Sequence, residues 1–110
     1  MFTGLALCLD DTFLVGTHSE GRISVTNLQT QEATIVQEPF GAVENISGIC
    51  VFGIRPENEP QTVFIPSTNG LYQCIVTPQG HFMYCMESFY EGKNIMNCKM
   101  IDEDEILVSF

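Results

Sequence analysis

Apolar and polar residues trade places at every second position through most of this chain, and short polar clusters interrupt the alternation at regular intervals. In the stretch DDTFLVGTHSEGRISVTNL, residues 10–28, Phe13 and Val15 alternate on one side of a turn, and Ile23 and Val25 on the other. Period-two patterning of this kind places one set of side chains on one face of a strand. The pattern predicts strands over 3–9, 12–18, 22–28 and 32–38, then over 46–53, 62–68, 71–77 and 81–87. The strands are rich in Val, Ile, Thr, Phe and Tyr, and SEG, QTQ, NG and PQG supply the turns. From Asn94 the chain continues as IMNCKMI, an acidic turn DEDE, and ILVSF. Ile95, Cys98 and Ile101 also lie at helical spacing, so a helix over 94–105 competes with a strand there.

The first four strands and the next four repeat one another. Setting Thr12 on Thr62 places Phe13-Leu14-Val15 on Val63-Phe64-Ile65. With one deletion in the turn, Gly21 falls on Gly70, Ile23 on Tyr72, Val25 on Cys74 and Val36 on Cys85. Upstream, Gly4-Leu5-Ala6-Leu7 falls on Gly48-Ile49-Cys50-Val51, with the longer loop IRPENEPQ following the second unit's first strand. The match gives Ala6, Cys50 and Cys98 one shared core position. The chain thus reads as a single β-repeat region, 1–110, made of one unit at 3–38, a second at 46–87 and the first half of a third at 94–110.

Four-stranded antiparallel units of roughly 44–50 residues resemble blades of a WD40-like β-propeller. The chain is similar to that family in degenerate form, since Thr26-Asn27-Leu28 and Ile75-Val76-Thr77 stand where Trp-Asp would close the third strand. The resemblance implies an all-β, incomplete propeller segment, completed by blades from the same or other chains. A chain that stops within an apolar strand reads as an excerpt of a longer one. A small β-barrel or sandwich is the alternative fold.

Charge narrows the partners. Four basic residues against fourteen acidic ones give a net charge of −10, which repels a phosphate backbone and argues against nucleic acid and anionic membranes. No segment has the length and apolarity of a membrane span, and the start MFTGLALCLDD lacks the basic residues of a secretory signal. The expected location is intracellular, cytoplasmic or nuclear. Cys8, Cys50, Cys74, Cys85 and Cys98 are odd in number and include no C-x-x-C pair, so they read as reduced core residues rather than a disulfide framework or metal site.

Neither His18 nor His81 belongs to a catalytic motif, so the chain is expected to be no enzyme and to need no cofactor. Acidic residues crowd the connections between first and second strands: Asp10 and Asp11, then Glu57 and Glu59, then Asp102, Glu103, Asp104 and Glu105. Propeller geometry would gather them on one rim, as a surface for a basic protein partner. On the opposite side, the resemblance implies the turn at His18 and the joining loops with Phe40 and with Phe89-Tyr90, aromatic residues placed either as interface anchors or as plugs between blades. The expected function is a non-catalytic protein–protein interaction platform within a larger scaffold. An enzyme or metal-binding all-β domain with a channel-lining site is the alternative.

Overall fold

Three antiparallel sheets, each formed in chain order, make up this computed structural model. It describes residues 2–9, 12–18, 21–36, 46–51, 58–102 and 105–110, with the side chains of residues 2, 36 and 84–88 outside that description. The first sheet holds β1 (Phe2–Cys8), β2 (Phe13–His18), β3 (Ile23–Asn27) and β4 (Ala33–Val36). The second holds β5 (Cys50–Val51), β6 (Gln61–Ser67), β7 (Gly70–Val76) and β8 (Phe82–Phe89), and β9 (Asn97–Met100) pairs with β10 (Ile106–Ser109) as a hairpin. Each predicted strand has its counterpart, and residues 97–100 are extended rather than helical.

Alternation decides which face each residue takes. In the first sheet, Ala6, Val15, Val25 and Thr34 lie directly across from one another and form one row. Leu5, Gly16, Ser24 and Ile35 form the next row, on the opposite face. The first of these faces packs against the second sheet. Phe13, Val15, Ile23 and Val25 from one side and Val63, Ile65, Tyr72, Cys74 and Val76 from the other form a single buried core. The second sheet is buried on its other face as well: Cys50, Phe64 and Leu71 meet Ile95, Cys98, Met100, Ile106 and Val108 of the hairpin segment. The three sheets therefore stack in sequence, with the β5–β8 sheet in the middle.

The first strands of neighbouring sheets come close together. A side chain on Gly4 would meet the Cα of Gly48 and Thr17 Oγ1 at 3.0 Å, and the Ile49 nitrogen at 3.2 Å, so backbone approaches backbone where β1 passes the segment leading into β5. Ser47 Oγ donates to the Ile95 carbonyl at 2.6 Å, and the Ile95 N–H donates to the Ser67 carbonyl at 2.9 Å. These bonds tie the approach to β5 to the approach to β9. Ahead of β5, Ser47 gives its N–H to the Pro66 carbonyl and its hydroxyl to the Ile95 carbonyl, and Ile46 bridges to Ser67; residues 52 and 53 of the predicted strand 46–53 lie outside the described residues.

The repeat register needs correction. Ala6 is paired with Val15, whereas Cys50 is paired with Phe64 and not with Ile65. A match that sets Ala6 on Cys50 and Val15 on Ile65 therefore slips by one residue between first and second strands, and one residue reverses the face. Cys50 and Cys98 do not occupy one repeated position: they face each other across the second core. Ala6 faces the first core and is only partly buried.

The outer faces carry exposed apolar residues. Leu5 is 60% exposed and Ile35 66%, on the face of the first sheet turned away from the second. On the hairpin, Leu107 pairs with Lys99 on the face opposite Cys98, and it too is exposed. The described residues do not close a ring, and none of them forms a helix long and apolar enough to cross a membrane.

Candidate functional site

The expected binding residues fall at two ends of the molecule. Phe89 ends β8, and Tyr90 follows it in the left-handed region, φ 56°, which turns the chain out of the sheet. The turn is held by the Lys93 N–H donating to the Tyr90 carbonyl at 2.9 Å and by the Gly92 N–H donating to the Asn69 carbonyl at 3.2 Å. The joining loop thus lies beside the tight turn between β6 and β7. Tyr90 is 51% exposed and its ring meets Phe110 edge to face, centroids 5.0 Å apart and planes at 89°. That geometry suits the positive ring edge against the negative ring face.

Below these rings a cavity of about 190 Å³ opens between the second sheet and the hairpin, lined by Phe64, Leu71, Phe89, Tyr90, Ile106 and Val108. Its walls are mainly apolar, and its size fits one or two side chains. Phe89 borders this seam and is 40% exposed.

Asp102 and Glu105 stand exposed at the other end of the hairpin, where the Ile101 N–H donates to the Glu105 carbonyl at 3.1 Å to close the turn. Glu59 is exposed in the connection between β5 and β6. Asp10, Asp11, Glu57, Glu103, Asp104 and Phe40 lie outside the described residues. Glu59, Asp102 and Glu105 sit on connections between first and second strands, whereas Glu32 lies between β3 and β4 and Glu91 follows Tyr90 directly.

His18 ends β2, with Nε2 3.4 Å from Ser24 Oγ on β3. Partial burial first, then nearby positive charge including Arg22, holds its imidazole below the ordinary value of 6.5. The neutral ring is therefore favoured by folding, so the stability it contributes is complete above 6.5 and is lost as the pH falls below that value. A ring-proton titration by NMR is expected to give a midpoint below 6.5; a midpoint at or above it would mean that the folded environment does not disfavour the charge.

A second, more polar cavity of about 240 Å³ lies where the β7–β8 turn meets the first sheet, with Asn27, Glu32, Thr34, Gln79 and His81 on its walls. Glu32 and His81 are both exposed there. Among the described residues no three His, Cys, Asp or Glu side chains converge to hold a metal ion. Buried Cys8 has its thiol pushed up to about 11 by desolvation, which suits a core residue rather than a nucleophile.

Three features went unread in the sequence: the Tyr90–Phe110 ring pair, the cavity beneath it, and the meeting of Cys50 with Cys98. Each depends on which faces of the second sheet and hairpin come together, and strand periodicity carries no signal for that. No protein-family model matches the chain, and no curated protein or solved structure does so either.

Proposed function

We propose that the chain is a segment of a WD40-like β-propeller that acts as a non-catalytic protein–protein interaction platform, with further blades supplied by the same or other chains. The observation that carries this reading is the stacking of chain-order sheets with their first strands drawn together, through Gly4 against Gly48 and Ser47 bonded to Ile95. Blades around an axis are nearest at their first strands, and each buries its faces only against its neighbours. The exposed row of Leu5 and Ile35 supports the same reading, because a terminal blade face is apolar until another blade covers it. The loop carrying Tyr90 and the acidic turn at Asp102 and Glu105 are the surfaces offered to partners, the acidic one suited to a basic protein.

The test is molar mass in solution by light scattering, across a concentration series, for the chain and for a Leu5→Lys, Ile35→Lys variant. Self-association of the parent chain, abolished in the variant while the circular dichroism of the sheets is kept, is expected. A folded monomer at all concentrations, unaltered by the two lysines, would argue for a free-standing sheet stack and against blades awaiting neighbours.

A further inference from the structure

We infer that Cys50 and Cys98 are a peroxide-oxidisable dithiol, which closes into a reversible disulfide and staples the β9–β10 hairpin to the second sheet. Both are only 6% exposed, and both belong to the small core between that sheet and the hairpin. Cys98 Sγ donates to the carbonyl of Phe64 at 3.8 Å, and Phe64 is the residue directly across from Cys50 in the β5–β6 ladder. The hairpin's sulfur therefore sits over the strand pair that carries the other thiol, and the two thiols interact directly. A bond between facing residues of stacked sheets is an ordinary disulfide span, as in immunoglobulin sandwiches. Cys8 and Cys74 belong to the other core, so the pair is set apart by place as well as by contact.

The two thiols differ in role. Pairing with Cys98, helped by the Met100 backbone, holds the Cys50 thiol below its ordinary value against the opposing effect of burial. Cys98 is pushed up by the same pairing and by desolvation. The Cys98 S–H is held by the Phe64 carbonyl, so Cys98 keeps its proton and Cys50 is the attacking sulfur. Its thiolate attacks one oxygen of hydrogen peroxide, the O–O bond breaks, and hydroxide leaves to give Cys50 sulfenic acid. Cys98, as it loses its proton, attacks the Cys50 sulfur; the S–O bond breaks and water leaves. In sum, two thiols and one peroxide give one disulfide and two waters, with two electrons passing to the peroxide. The apolar cavity bordered by Phe64 lies next to this pair, and a molecule as small as peroxide fits it.

The pair's chemistry needs no partner and no further blade. Hydrogen peroxide added to the purified chain is expected to remove two hydrogen atoms per molecule by intact mass. Peptide mapping should join the Cys50 and Cys98 peptides, and dithiothreitol should reverse the change. Amide exchange in β9 and β10 should slow on oxidation, because the hairpin can no longer lift away. In a Cys98→Ser variant, Cys50 should be trapped as sulfenic acid by dimedone. Persistence of both thiols, accumulation of sulfinic acid at Cys50 in the parent chain, unchanged hairpin exchange, or failure to trap Cys50 in the variant would each overturn the assignment.

Discussion

Replacing Ile65 by alanine is expected to destabilise the chain by about 3 kcal/mol, since a buried isoleucine truncated to alanine costs roughly 2–5 kcal/mol in transfer and cavity terms together. Ile65 is fully inaccessible and stands on β6 in the core shared by the first two sheets, beside Tyr72 of β7 in the ladder. The loss is a large part of the roughly 5–15 kcal/mol that holds a typical domain folded. Urea unfolding with an unchanged slope and a lowered midpoint would record it. A change under about 1 kcal/mol would mean that the two sheets do not share a dry, close-packed core at this point.

A comparable loss, about 2–4 kcal/mol, is expected for Gly80→Ala, and by a different route. Gly80 closes the turn between β7 and β8 with φ +87°, its N–H bonded to the Thr77 carbonyl at 2.8 Å. A side chain in that left-handed conformation costs on the order of 1–2 kcal/mol. The added Cβ would also lie 2.5 and 2.8 Å from two atoms of the Phe13 ring, a buried residue of the first core. Overpacking of that kind costs about 1–3 kcal/mol. The second contribution is separable: in a Phe13→Leu background the alanine should cost less, and a double-mutant cycle measures the difference. Strict additivity of the two substitutions would show that the turn does not press on the ring.

The strands were legible because period-two alternation is local. Phe13, Val15, Ile23 and Val25 announce one buried face with no knowledge of what covers it, and the turns at 68–69 and 78–80 follow from NG and PQG. Register across the repeat was not legible, and the reason is visible in the middle sheet. Cys50 and Val51 are both apolar, as are Val63, Phe64 and Ile65, because the β5–β8 sheet is covered on both faces. A one-residue slip there exchanges one apolar residue for another and leaves no mark in the pattern. The same ambiguity hid the meeting of Cys50 with Cys98, which the repeat had made equivalent and the structure makes opposite. Of the candidate binding residues, Tyr90 was legible as an exposed ring in a joining loop, while its neighbour Phe110 looked like any strand residue. Of the acidic residues expected between first and second strands, Glu59, Asp102 and Glu105 are the described ones.

The contact at Gly4 has a consequence for curvature. The first two sheets meet at two places, where β1 passes the approach to β5 and where the β7–β8 turn lies against the Phe13 ring, and the angle between them depends on how near the backbones come at the first of these. Here that nearness is limited by a hydrogen atom where any other residue would put a carbon. A bulkier residue at position 4 would push β1 and the approach to β5 apart and tilt the two sheets about their other contact at Gly80, opening the shared core along its β1 side.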